Sequence, residues 1–141
     1  MQFDPENEVV KRCAQGMELE GVGEKQQAAA LLREAWAMAR TDLEKFTAAH
    51  YVARNQATIE DKLHWDTTAL NHALRIKGDA TRSVLPSLYL NVGKGYEDLG
   101  DRERARLNYT RAMEHFDSLP DDEYGTLVRN GVVSGLKRVE R

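Results

Sequence analysis

Apolar residues return at three-and-four spacing along almost the whole chain, and each run is broken by glycine, proline or a capping residue. The clearest stripe is Ala28, Leu31, Leu32, Ala35, Trp36 and Ala39, which predicts a helix over 24–40. Ahead of it, Asp4-Pro5 offers a capping carboxylate and a proline suited to a first turn. That predicts a helix reaching about residue 20, closed by Gly21-Val22-Gly23. Thr41-Asp42-Leu43-Glu44 has the spacing of a capping box and opens a third helix over 42–55. Thr58 and Asp61 open a fourth, which reaches about residue 77 and stops at Gly78-Asp79. For the fifth, either Ser83 caps a helix with Pro86 in its first turn, or the helix begins near Asp79 and bends at Pro86. It ends near Leu99, Gly100-Asp101 turns the chain, and a sixth helix covers 102–117. Leu119-Pro120-Asp121-Asp122 breaks the pattern again. A last helix over 123–139 then carries Leu127, Val128, Val132, Val133, Leu136 and Val139. No segment reads as a strand, a linker or a low-complexity tract.

Helices paired by short turns call for a test of internal repetition. The third pair reads Leu90-Asn91-Val92-Gly93-Lys94-Gly95-Tyr96-Glu97-Asp98-Leu99-Gly100-Asp101 and continues with Ala105, Tyr109, Ala112 and Met113. Equivalent places in the first pair hold Gly16, Leu19, Gly23, Ala28, Leu32, Ala35 and Trp36. Those in the second hold His50, Ala53, Ala57, Lys62, Asp66, Ala69 and Leu70. These residues resemble the tetratricopeptide repeat, whose length of 34 residues separates Ala35 from Ala69. The types have a physical logic. Gly93 lets the two helices approach, Tyr96 and Tyr109 fill the space between them, and Ala105 and Ala112 stay small where a neighbouring backbone passes.

The resemblance implies an all-α fold in a single domain, 1–141. It would be an α-solenoid of three antiparallel helix hairpins at about 9–42, 43–85 and 86–119, with a C-terminal capping helix at about 122–139. Three repeats are close to the minimum for such an array, because one hairpin cannot bury its own face. The capping helix would cover the third repeat and turn Arg129, Lys137, Arg138, Glu140 and Arg141 toward water.

The resemblance also implies a concave surface lined by the first helix of each pair, holding a protein or peptide segment. Inward-facing residues would include Cys13, Met17, Thr47, Ala48, Tyr51, Arg54, Asn55, Leu90, Asn91, Lys94 and Glu97. Within that set, Tyr51, Arg54, Asn55, Asn91 and Lys94 form a basic, amide-rich centre. Asparagine can hold a peptide backbone as donor and acceptor, and the two cations can receive an acidic side chain or a C-terminal carboxylate. The competing reading of the cations is a solvated face with internal ion pairs to Glu97 or Asp98. Cys13 and Met17 stand where chaperone-binding members of the family carry carboxylate-clamping residues, so that mode is not expected. A second functional reading is self-assembly through the C-terminal helix, where Gly131 and Gly135 allow close contact. A third is a small-molecule sensor or enzyme. The chain is expected to be a monomer or a homodimer.

Composition narrows the alternatives. A chain 41% hydrophobic and 30% charged is globular rather than disordered. A formal net charge of −3 with no basic stripe argues against a nucleic-acid partner. No apolar run approaches the roughly 20 residues of a membrane helix. The first residues lack the basic and apolar regions of a secretory signal, so a cytoplasmic location is expected. Cys13 is the only cysteine, which excludes an internal disulfide, and it is expected as a small buried member of the first helix.

Candidate chemistry is sparse. Gly93-x-Gly95 lies inside an expected helix rather than after a strand, unlike a phosphate loop. His64 and His72 are two helical turns apart, and no His-Glu-x-x-His or paired cysteines occur, so neither metal nor other cofactor is expected. No catalytic residue is assigned. His50 is expected to be packed between helices with scope for a response to pH. Trp36 and Trp65 are expected to pack between helices, and Asp101-Arg102-Glu103-Arg104-Arg106 to form a solvated face.

Overall fold

A computed structural model describes residues 4–79 and 81–140. Among the described residues there are seven α-helices and no strand. They are α1 (Glu8–Gly21), α2 (Lys25–Met38), α3 (Asp42–Ala53), α4 (Ile59–Arg75), α5 (Leu85–Asp98), α6 (Arg102–Glu114) and α7 (Glu123–Val139). Short 3-10 turns at Arg82–Val84 and Phe116–Ser118 flank the fifth and sixth. The helices gather into two compact units, residues 1–76 and 77–141.

In the first unit α1 pairs with α2 and α3 with α4, and α3 also packs against both helices of the preceding hairpin. In the second unit α5 pairs with α6, and α7 packs against both. The last helix therefore stands to its hairpin as α3 stands to α1 and α2. This succession of hairpins is compatible with a helical repeat.

The turns follow from short-range chemistry. Both α1 and α5 end in a left-handed glycine, Gly23 at φ 85° and Gly100 at φ 84°. At each, the glycine amide reaches back three residues and the next amide five. Gly23 N donates to Glu20 O and Glu24 N to Leu19 O; Gly100 N donates to Glu97 O and Asp101 N to Tyr96 O. This pattern satisfies carbonyls that the helix end leaves open, and the positive φ explains why glycine stands there. The capping box at Thr41 forms with both halves present. Thr58, Asp101 and Asp122 also cap, each accepting an amide three residues ahead.

Two expectations about helix starts need correction. The first helix begins at Glu8, not behind an Asp4 cap. Asn7 Oδ1 accepts both Val9 N and Val10 N, while Asn7 Nδ2 donates to Glu44 Oε2 on α3 at 2.9 Å. Asn7 thus satisfies two orphan amides and ties the helix to its neighbour, whereas Asp4 closes a preceding turn by accepting Glu6 N and Asn7 N. The fifth helix does hold Pro86 in its first turn, but Ser83 does not cap it. A 3-10 turn supplies the entry instead, with Ser87 Oγ donating to Val84 O.

Alanines fill the seams between helices. Ala28, Ala35, Ala48, Ala49, Ala69, Ala105 and Ala112 are wholly buried. Glycines serve the closest approaches: a Cβ on Gly16 would lie 2.8 Å from Leu32 Cδ2. In the second unit the Tyr109 ring is wholly buried between α5 and α7. A Cβ on Gly93 would lie 2.7 Å from Tyr109 Cε1, and one on Gly135 would lie 2.5 Å from Cζ. A Cβ on Gly125 would collide with the carbonyl of Pro120, so glycine is required where α7 leaves its loop. Trp36 and Trp65 pack edge to face with centroids 5.1 Å apart, and the Arg33 guanidinium covers the Trp65 ring.

Candidate interaction surface

Tyr51, Arg54 and Asn55 lie at the C-terminal end of α3, in the first unit. Their position follows from the capping box, which sets the start of the helix, and from Phe46, Ala49, Val52 and Ala53, whose burial fixes its rotation. Arg54 is the C-cap residue. Its Nη2 donates to Glu20 Oε1 on α1 at 3.0 Å, and Asn55 Nδ2 donates to Glu20 Oε2 at 3.4 Å. One carboxylate therefore holds two of the three residues. The Arg54 side chain is still 49% exposed. Tyr51 is half-buried, meets the His50 ring edge to face at 5.5 Å, and has its phenol pushed up by burial.

Glu20, Arg54 and Asn55 line an open cleft of about 450 Å³ together with Lys25, Gln26 and Gln56. The cleft thus presents two cations and three amides around a single carboxylate. Lys25 and Gln26 belong to the first turn of α2, where backbone N–H groups also point outward.

Asn91 and Lys94 lie on α5, in the second unit. Lys94 Nζ donates to Asp98 Oδ1 at 2.5 Å, one helical turn along, and both side chains are exposed. Asn91 is half-buried and makes no side-chain hydrogen bond with the described residues. Glu97 is engaged inside its own unit. It accepts Nε and Nη2 of Arg138 at 2.7 and 3.1 Å and the Tyr109 hydroxyl at 2.7 Å. Hydrogen bonding to Arg138 holds the Glu97 carboxyl below the usual range, and burial raises the Tyr109 phenol.

Both cations of the expected centre are thus paired internally. Lys94 pairs with Asp98, and Arg54 with Glu20. Two residues expected to face inward, Thr47 and Ala48, are core instead, and Cys13 is buried as a small helix residue should be. Burial raises the Cys13 thiol to about 11, and the Thr47 hydroxyl donates back to Leu43 O. Arg138, expected to turn to water, is drawn to Glu97.

Sequence reasoning missed Glu20, Lys25, Gln26 and Gln56 as neighbours of Arg54 and Asn55. A signal for Glu20 was present. It stands three residues before the turn glycine of its hairpin, as Glu97 does before Gly100. Each of the two carboxylates then receives an arginine from the helix packed onto its hairpin.

The histidines are occupied by packing. His72 Nδ1 meets Asp42 Oδ1 at 2.9 Å, and His115 stacks on Tyr89. His64 lies edge to face with Trp65. Among the described residues no group of three or more His, Cys, Asp or Glu side chains is placed to share a metal ion. No helix among them is long and apolar enough to cross a membrane. No family model matches this chain, nor does any curated protein or solved structure.

Proposed function

We propose that this chain is a protein-interaction module of the tetratricopeptide type, holding a peptide or protein segment against the first helices of its hairpins. One observation carries the reading. Where the first helices α1 and α3 end, Arg54, Asn55 and Gln56 meet Lys25 and Gln26 of α2 around an open cleft, where amides and cations outnumber the one carboxylate. Such a lining suits an extended segment. Amides can pair with peptide N–H and C=O groups, and a cation can receive an acidic side chain or a terminal carboxylate. In this reading Arg54 exchanges its internal partner Glu20 for the ligand, and its half-exposed side chain gives it the freedom to do so. Asn91, with no side-chain hydrogen bond among the described residues, and Lys94, on a flexible stem with an exposed partner, are the donors offered by the second unit.

The test is affinity capture from native lysate with wild type and an Arg54→Ala/Lys94→Ala double variant, after circular dichroism has established equal helicity. Wild type is expected to retain proteins that the variant loses. Recovery of the same proteins at the same yield by both would refute the assignment of these residues.

A further inference from the structure

The outward face of α7 is a self-complementary stripe. Val128, Val132, Gly135 and Val139 are buried against the hairpin of the second unit. Opposite them on the helical wheel stand Glu123, Asn130 and Lys137, with Leu127 on one flank of that outward face and Val133 on the other, all exposed. Leu127 is the most exposed of the large apolar residues on this helix, at 72%.

The order of these residues is symmetric about Asn130. Seven positions before it stands a carboxylate and seven after it an ammonium, three before it a leucine and three after it a valine. We propose that a second copy of this chain docks here, with the two α7 helices antiparallel and a two-fold axis passing beside Asn130. In that arrangement Glu123 of one copy meets Lys137 of the other at each end of the seam. Leu127 of one copy and Val133 of the other stand at the same level on each side of the centre and flank the seam from its two edges. The two Asn130 amides, each a donor and an acceptor, meet at the axis.

The charge pattern favours this occupant over others. Opposite charges at the two ends of one helix, about 21 Å apart along its axis, attract a copy that runs the other way and repel one that runs parallel. An isologous contact needs only one patch that matches itself, and this stripe does. A single pair of helices of this length covers less than the roughly 800 Å² per partner of a standard interface, so association is expected to be weak and concentration-dependent.

Sedimentation equilibrium on the full chain over a wide concentration range at low salt tests the proposal. Wild type is expected to dimerise, and Leu127→Glu to remain monomeric with unchanged helicity. Leu107→Glu, at an exposed apolar position on α6, is expected to dimerise as wild type does. Each single reversal, Glu123→Lys or Lys137→Glu, turns two attractions into two repulsions and is expected to weaken the dimer roughly tenfold. The double reversal restores both pairs and is expected to recover it. A wild type that stays monomeric at its highest soluble concentration overturns the proposal. So does a dimer that Leu127→Glu leaves intact, or one that the double reversal fails to recover.

Discussion

Glu97 on α5 grips Arg138 on α7 through two hydrogen bonds, and the same carboxylate accepts the buried Tyr109 hydroxyl of α6. Three helices of the second unit therefore converge on one side chain, 17% exposed. Arg138→Met keeps most of the stem and removes the fork. Because Arg138 is itself half-exposed, the expected loss is about 0.5–1 kcal/mol. Tyr109→Phe, which keeps the ring and removes the hydroxyl, is expected to cost about 1 kcal/mol. Since both partners act through Glu97, the double variant is expected to depart from additivity. Urea denaturation of the set measures this; strictly additive losses would count against a shared carboxylate.

Glycines in this chain should respond to alanine with opposite signs. A Cβ on Gly21 meets nothing within 4 Å, and its φ is not positive. Gly21→Ala removes unfolded-state freedom inside a helix and is expected to stabilise by about 0.5–1 kcal/mol. Gly93→Ala drives a methyl into the Tyr109 ring and is expected to cost about 1–3 kcal/mol. The first unit shows a smaller filler in the corresponding place, with Leu32 over Gly16. Tyr109→Leu should accordingly relieve part of the Gly93→Ala clash, and a double-mutant cycle reads that coupling. Equal effects of Gly21→Ala and Gly93→Ala would show that space, as placed here, does not govern these positions.

Glu44 links acid stability to the joint between α1 and α3. Its Oε1 accepts the amides of Arg40 and Thr41 at 3.0 and 3.1 Å, and its Oε2 accepts Asn7 Nδ2. Asn7, then the two amides, bring its carboxyl down to about 2. The unfolded value is about 4.3. The folded state thus binds its proton less tightly, and the stabilisation is complete above about pH 5 and disappears as pH falls toward the folded value. Glu44→Gln cannot satisfy the same donors through two anionic oxygens. It is expected to lose about 1 kcal/mol at neutral pH and to show a shallower decline in acid. Denaturation midpoints from pH 7 to pH 2.5 decide this, and parallel acid limbs for wild type and variant would refute it.

What could be read from the sequence was local, and what could not was distant. The capping box, the Thr58 cap and the glycines at 23 and 100 act on neighbours within five residues, so their chemistry is visible in a short window. The apolar stripe of α2 likewise specified Ala28, Leu32 and Ala35 as core. Asn7 displaced Asp4 as the first cap with the help of Glu44, which lies 37 residues on. The engagement of Arg54 by Glu20 and of Arg138 by Glu97 spans 34 and 41 residues. Choosing among many exposed carboxylates for such partners requires the packing of the helices, which no window of sequence contains. Thr47 and Ala48 went astray for the same reason, since how deep a helix face is buried depends on the neighbour that covers it.

His50 is the residue through which mild acid should act on the first unit. Its Nδ1 is buried with no hydrogen-bond partner among the described residues, beside the Phe46 and Tyr51 rings. Burial lowers its basicity. Asp66 opposes that effect, Arg54 and Lys62 add to it, and Lys62 already pairs with Asp66 at 2.6 Å. The folded state binds a proton at His50 less readily than the unfolded chain, whose imidazole titrates near about 6.5. Stability is therefore full above that value and falls as pH drops through it, until the folded value is reached. His50→Leu replaces the orphan nitrogen with an apolar group and removes this titration. Relative to wild type, the variant should gain stability on going from pH 7.5 to pH 5.5, measured as the difference between their urea midpoints. A difference that stays constant across that interval would show that the His50 proton has no part in the acid response.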